Sequence, residues 1–273
     1  MKKNFYAIIG KPIDHSLSPI LHNYWLKKYG IEGNYSLINV DEDKLGDVIE
    51  KIRKKELNGI NVTLPYKQKI IKFIDKLIND AKFTNSVNTI YLNEQNTLIG
   101  ENTDVFGLQA AYLKEIINVE TKKALVIGAG GVSPSVILSL QKSKIKNITI
   151  INRTYEKSIF LKKKFKFLNI LKWETLKNEI ANFDIIVNAT SLGLKSGSDF
   201  DFNFENVKED LIYIDTVYNP LETKTLKFLK ENKIRTFNGL EMFIYQGQKS
   251  FYLWNKINPE IDDELIDLLK SKL

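Results

Sequence analysis

Short apolar runs alternate along the chain with longer stretches in which apolar residues recur every three or four positions, the pattern of strands joined by amphipathic helices. Strands are predicted at Phe5 to Ile9, Tyr35 to Val40, Ile60 to Thr63 and Val87 to Tyr91, followed by a helix from about Asp104 to Ile117. A second series starts at Ala124 to Ile127 and continues with Ile148 to Ile151, Asp184 to Asn188 and Leu211 to Asp215. The restart marks a boundary near Asp104. Two consecutive α/β units built on parallel sheets follow from this order. From Leu240 onward the pattern is helical and brings no strand series of its own. That tail must pack on something already built, and the first unit is one option.

A chain of 273 residues has room for two domains at roughly 150 residues each. A hydrophobic fraction of 43% is enough for packed cores and argues against disorder. With no cysteine there are no disulfides, thiol nucleophiles or cysteine metal sites, and a soluble protein of the reducing cytoplasm is expected. The two histidines, His15 and His22, form no metal pair, so no metal is expected. Lys2 and Lys3 precede an apolar run, but that run is too short for a signal peptide and Gly10-Lys11-Pro12 ends it. No stretch approaches the roughly 20 apolar residues of a membrane span. The 40 basic against 33 acidic residues leave +7, yet most lysines are interspersed with acids. The densest run, Lys162 to Lys166, reads as a solvated helix face. Neither nucleic acid nor membrane is therefore expected as a partner.

The second series carries a dinucleotide signal. Ala124 to Ile127 runs into Gly128-Ala129-Gly130-Gly131, then Val136, Ile137 and Leu140 at helical spacing. Such a turn lets backbone approach a pyrophosphate at a helix N-terminus. Ser133 replaces the third glycine of the usual spacing, with Pro134 at the first helical turn. The next strand ends Asn152-Arg153-Thr154, where NAD-binding proteins usually carry an acid for the ribose hydroxyl. A guanidinium there suits a 2′-phosphate, with Thr154 and Lys157 as further donors, which points to NADP. Asn188, Thr190 and Gly193 follow a strand and are candidates to line the cofactor's path; for Thr190 and Ser191 a helix cap is the competing explanation.

Polar side chains also gather where strands of the first half end. Ser18 and Pro19 read as N-cap and first helical residue, and with Ser16 the two hydroxyls would suit a carboxylate ligand. After Asn61-Val62-Thr63 comes Pro65, read as the start of a helix with Ile70, Ile71, Ile74, Leu77 and Ile78 on its apolar face. Lys67 would then lie in the first turn, where the helix dipole favours a neutral amine and acid–base work. Asp104 is either the N-cap of its helix or the partner of Lys67 in an ion pair.

Taken in order, Gly10-Lys-Pro-Ile-Asp-His-Ser16-Leu-Ser18-Pro19, Asn61-Val-Thr63-Leu-Pro-Tyr-Lys67, Val87-Asn88-Thr89, Gly100-Glu-Asn-Thr-Asp104, Gly128-Ala-Gly-Gly131, Asn152-Arg-Thr154, Asn188-Ala-Thr-Ser191, Asp215-Thr-Val-Tyr218-Asn-Pro220 and Gly239-Leu-Glu-Met242-Phe-Ile-Tyr-Gln246 resemble the shikimate dehydrogenase family. That resemblance implies an α/β substrate-binding and catalytic domain of residues 1–104 and 240–273, and an NADP-binding Rossmann domain of residues 105–239. It implies reversible, NADPH-dependent reduction of 3-dehydroshikimate to shikimate. Lys67 and Asp104 would work on the reacting carbinol, Ser16 and Ser18 would hold the substrate carboxylate, and Thr63, Asn88 and Gln246 its ring hydroxyls. Tyr218 would approach the substrate, and Gly239 and Met242 the nicotinamide. Ser133-Pro134-Ser135, Asn85-Ser86 and Gln248 depart from what the family commonly has. Rival expectations are a relative that also takes quinate or NAD, and a non-catalytic NADP-binding regulator on the same scaffold. A monomer or homodimer is expected.

Overall fold

A computed structural model describes residues 3–194, 198–202 and 204–273; Lys2 lies outside them. The backbone divides into two compact units, residues 1–107 with 244–272, and residues 108–243. The chain passes from one to the other inside a helix each time.

The first unit contains β1 (Asn4–Gly10), α1 (Ser18–Lys28), β2 (Gly33–Asn39), α2 (Leu45–Arg53), β3 (Gly59–Val62), β4 (Lys76–Leu77), α3 (Asn79–Thr84), β5 (Thr89–Leu92), β6 (Leu98–Glu101) and the start of α4 (Asp104–Ala111). Its six-stranded sheet has the order β2-β1-β3-β5-β6-β4. The core forms where α2 buries Leu45, Val48, Ile49 and Ile52, one stripe at helical spacing, against Ile60, Ile90 and Leu98. Each such side chain contributes about 1.5–3 kcal/mol on leaving water.

Three expectations fail along this part of the chain. The sheet is mixed rather than parallel, because β5 runs antiparallel to both β3 and β6. The link from β5 to β6 is too short for a crossover helix; Asn93 Oδ1 closes it as a hairpin by accepting from Gln95 N (3.1 Å) and Thr97 N (2.8 Å). Nor does an α-helix follow Pro65. Lys69–Phe73 form a 3₁₀ turn, and the chain then extends into β4, which pairs with β6. Tertiary bonds decide this: Asp75 accepts from Leu98 N at 2.8 Å and from the Arg53 guanidinium at 2.7 and 3.0 Å, which holds the segment extended where apolar spacing alone suggests a helix. Helix α4 is also shorter than expected, giving way to a 3₁₀ turn at Leu113–Glu115.

The second unit holds β7 (Lys123–Ile127), α5 (Ser133–Lys142), β8 (Asn147–Ile151), α6 (Tyr155–Lys164), β9 (Asn169–Leu171), α7 (Leu176–Glu179), β10 (Ile185–Asn188), β11 (Ile212–Asp215), α8 (Lys224–Glu231) and β12 (Arg235–Phe237). All six strands are parallel, in the order β12-β11-β10-β7-β8-β9. Numbered within the unit this is the 3-2-1-4-5-6 order of a doubly wound Rossmann sheet, and its direction reverses between β7 and β10.

Of the two last helices, α9 (Leu240–Asn255) starts in the second unit and continues in the first, where α10 (Asp263–Lys270) also packs. Trp254 lies so close over Gly59 of β3 that a Cβ there would come within 2.3 Å of its Nε1. Trp25 of α1 donates to Glu260 O at 2.9 Å, and Tyr24 to the Asp262 carboxylate at 2.9 Å. His22 is fully enclosed beside them, stacked on Tyr35 at 4.4 Å. No helix among the described residues is long and apolar enough to cross a membrane, and no described cluster of three or more acidic or histidine side chains could hold a metal ion.

Candidate active site

In the first unit, strand ends bring four of the candidate residues together. Lys67 Nζ lies 2.6 Å from Asp104 Oδ2, and both side chains are largely covered, 13% and 7% exposed. The other Asp104 oxygen accepts from Asn88 Nδ2 at 2.8 Å. The same Asn88 nitrogen approaches Gln246 Oε1 of α9 at 3.4 Å. Asp104 does not cap its own helix. Asn102 does, its Oδ1 accepting from Asp104 N (3.1 Å) and Val105 N (3.4 Å), which leaves both Asp104 oxygens for Lys67 and Asn88. Since no α-helix begins near Lys67, its cation faces a carboxylate instead of a helix dipole. Backbone anchors it: Val87 N donates to Lys67 O at 2.8 Å.

Ser16 and Ser18 pair with one another. Ser16 Oγ donates to Ser18 Oγ at 3.1 Å and accepts from Ser18 N at 3.3 Å. Ser18 is not the cap but the first helical residue, Leu17 takes the cap position without a side-chain bond, and Ser16 Oγ meets the first helical N–H. Two polarised hydroxyls at the start of α1 can still receive a carboxylate. Thr63 is half-buried beside Gly10, its N–H bonded to Ile9 O at 2.9 Å.

The second unit contains the remaining candidates. Gly128 follows β7 with φ +110°, and a Cβ there would lie 2.9 Å from Ala189 O and 2.6 Å from Thr190 Cγ2. Only glycine fits a turn pressed this tightly against the segment after β10. Gly130 is open by contrast, with Ala189 O the nearest atom at 3.9 Å from an added Cβ. Side chains brace the turn: Ala129 N donates to Asn152 Oδ1 at 3.0 Å and Gly130 N to Ser133 Oγ at 2.9 Å. Gly131 lies two residues before α5, near the N-terminal end whose partial positive charge suits an anion. Arg153, Thr154 and Lys157 lie exposed at the start of α6, and no ion pair engages Arg153 or Lys157 among the described residues. A glycine cradle followed by free cations fits a phosphorylated dinucleotide.

Thr190 begins no helix. Its hydroxyl donates to Asn188 Oδ1 at 2.7 Å and accepts from Leu192 N at 3.0 Å, closing a turn. Asn188 in turn donates to Asp215 Oδ1 at 2.9 Å. Burial pushes the Asp215 carboxyl up to about 6, against the bonds it accepts from Val217 N, Thr223 and Asn188. Tyr218 stacks on Phe243 at 4.8 Å, within the second unit. Gly239 N donates to Val217 O at 2.9 Å, and buried Met242 donates its N–H to the Tyr112 hydroxyl at 3.1 Å. Tyr112, which also donates to Asn238 O, braces this segment; a tyrosine just past the end of α4, in an apolar stretch, carries no mark of that role in the sequence.

Residues 8–90 match the family described as "Shikimate dehydrogenase substrate binding domain", and residues 111–195 match "Shikimate / quinate 5-dehydrogenase". The chain is 47% identical over 269 residues to a shikimate dehydrogenase (NADP(+)) of Pelagibacter ubique, covering 98% of this chain and 99% of that protein. It superposes on the crystal structure of shikimate dehydrogenase from Aquifex aeolicus with a TM-score of 0.89 at 34% identity, over 97% of this chain and 96% of the other. The Thermus thermophilus enzyme, solved in complex with NADP(H) and shikimate, gives 0.88 at 29% identity, covering 99% of this chain and all (100%) of that one. Identity at this level, sustained along nearly the whole length, means that the chain belongs to the shikimate dehydrogenase family.

Proposed function

We propose that this protein catalyses the reversible reduction of 3-dehydroshikimate to shikimate with NADPH. The observation that carries the reading is the Lys67–Asp104 pair at 2.6 Å, steadied by Asn88, in a chain aligned end to end with NADP-dependent shikimate dehydrogenases. When bound, NADPH supplies the hydride. As the ring carbonyl becomes an alcohol, negative charge gathers on its oxygen, and Lys67 presents a positively charged N–H donor to it. Asp104 aims that donor through one oxygen while Asn88 holds the other. Ser16 and Ser18 receive the carboxylate; Thr63, Asn88 and Gln246 hold the ring hydroxyls. Residues 1–104 and 240–273 thus serve the substrate and residues 105–239 the cofactor. Gly128, Ala129, Gly130 and Gly131 cradle its pyrophosphate, Asn152, Arg153, Thr154 and Lys157 its adenosine end, and Thr190, Gly239 and Met242 its nicotinamide end. A cysteine-free chain suits the reducing cytoplasm where we place it.

The deciding experiment is a spectrophotometric assay of NADP reduction with shikimate and with quinate, each repeated with NAD. Turnover with shikimate and NADP is expected to exceed the other three combinations. Turnover with none of the four would favour a non-catalytic regulator, and equal rates with quinate a relaxed enzyme. Cofactor choice has its own test in Arg153→Ala. A lost charge-assisted bond costs about 1.5–3 kcal/mol, so NADP affinity should fall by roughly 10–150-fold while NAD affinity stays within about twofold. Fluorescence titration reads both, and unchanged NADP affinity removes Arg153 from the site.

A further inference from the structure

Beneath Asn88 lies a polar cluster that the proposed reaction does not yet use. Asn61 of β3, Thr89 of β5, Thr103 and Ser250 of α9 are each at most 5% exposed. Backbone groups settle how the two amides point. Thr103 N donates to Asn88 Oδ1 at 2.8 Å, so that atom is the carbonyl oxygen; Asn61 Nδ2 donates to Asn88 O at 3.0 Å, so that atom is the nitrogen. The Tyr35 hydroxyl donates to the remaining Asn61 oxygen at 2.8 Å. Thr89 stands at the junction. Its hydroxyl donates to Asn88 Oδ1 at 3.0 Å, accepts from Asn61 Nδ2 at 3.2 Å and lies 2.8 Å from Ser250 Oγ. Ser250 donates one helical turn back to Gln246 O at 3.0 Å.

A cluster of this kind could exist only to satisfy buried polar groups. Its shape argues for more. Thr103 N, the Thr103 hydroxyl and the Thr89 hydroxyl meet at the carbonyl oxygen of one side chain, and the nitrogen of that side chain, which also reaches the Thr103 hydroxyl, holds the carboxylate of the proposed dyad. Reversing the Asn88 amide would set an oxygen against Asp104 Oδ1, where like partial charges repel.

We propose that Thr89, backed by Asn61 and Ser250, is a positioning residue: its hydroxyl locks the Asn88 amide in the orientation that presents N–H groups to Asp104 and to a substrate hydroxyl. This rests on the reading of Lys67 and Asp104 as the reacting pair. Thr89 touches neither substrate nor cofactor and acts through Asn88. Misplacement of a reacting group by about 1 Å can cost about 100-fold in rate, so a loosened Asn88 should register in kcat before it registers in binding.

The test compares Thr89→Val, which keeps the shape and loses the hydroxyl, with Thr89→Ser, which keeps the hydroxyl and loses a buried methyl. In shikimate oxidation with NADP, Thr89→Val should lower kcat by about tenfold or more with KM within about twofold, and Thr89→Ser should recover kcat to within about threefold of the parent. Ser250→Ala, read in the same way, should lower kcat severalfold and stands in if Thr89→Val does not fold. Parent-like kcat in folded Thr89→Val or, in its stead, in Ser250→Ala overturns the proposal, as does a Thr89→Ser variant as slow as Thr89→Val. Lys67→Ala run alongside separates the two readings. If it keeps its kcat the dyad itself is wrong; if it loses kcat while Thr89→Val does not, only the positioning role fails.

Discussion

Lys67→Ala is expected to lower kcat for shikimate oxidation by about 100- to 10,000-fold, the range that a positioned proton-transfer group contributes, with a much smaller change in KM. The size follows from the surroundings of the ammonium group. At 2.6 Å from Asp104 and largely covered, it acts in a medium less screening than water, so its charge weighs more on an oxygen that becomes negative as the reaction proceeds. The substrate carboxylate, which we assign to Ser16 and Ser18, is equally charged before and after hydride transfer, so those hydroxyls should govern KM instead. Removing Lys67 also leaves Asp104 without its counter-charge; breaking a buried pair from one side can cost about 3–5 kcal/mol of stability. Lys67→Met, which restores the aliphatic stem, and circular dichroism at the assay temperature distinguish lost chemistry from lost fold. A kcat within about threefold of the parent in folded variants would remove Lys67 from the reaction.

The second large effect falls on stability and depends on pH. His22 is enclosed by Tyr35, Trp25, Phe251 and Trp254, and neither ring nitrogen meets a partner. Burial drives its pKa down to about 3, against 6.5 for an ordinary histidine. The unfolded chain therefore takes up this proton near pH 6.5 and the folded chain only near pH 3. Between those values the unfolded state binds more protons, so stability is fully present above pH 6.5 and drains away as the pH falls toward 3. At about 1.4 kcal/mol per pH unit, the loss from this residue is about 2 kcal/mol at pH 5 and approaches about 5 kcal/mol at pH 3. Urea unfolding of the parent and of His22→Phe at pH 7, 6 and 5 isolates it. The parent should lose about 2 kcal/mol relative to the variant across that range; a difference that stays constant with pH means that His22 is protonated in the folded protein or is not buried.

How legible all this was depends on the kind of signal. The Rossmann unit announces itself because its strands are buried on both faces and read as unbroken apolar runs, and because the turn at Gly128 tolerates no side chain. Helix α2 is equally clear from the spacing of Leu45, Val48, Ile49 and Ile52. The segment from Ile70 to Ile78 misleads for the opposite reason: its spacing fits a helix, but bonds to Asp75 from residues far along the chain hold it extended. The reading of Ser18 as a cap fails because α1 already begins at Ser18, with Leu17 in the cap position; at Asp104, where the sequence leaves a cap and an ion pair both open, the carboxylate pairs with Lys67. Lys67 and Asp104 stand out as charged residues at strand ends. Thr89 and Ser250 do not, because a small hydroxyl within an apolar stretch looks the same whether it fills space or orients an amide.

Because residues 108–243 make up the second unit and residues 244–272 complete the first, the order of synthesis and the order of completion differ. In a chain growing from its N-terminus, every strand of the Rossmann sheet is synthesised before Gln246 and Ser250 exist. Domains generally fold as they emerge, so the cofactor unit can close first while β1 to β6 wait without the helix that carries those two residues. Until then Trp254 does not cover Gly59, and Thr89 and Asn61 lack the Ser250 hydroxyl. A released chain ending at residue 243 should therefore bind nucleotide but turn over no substrate.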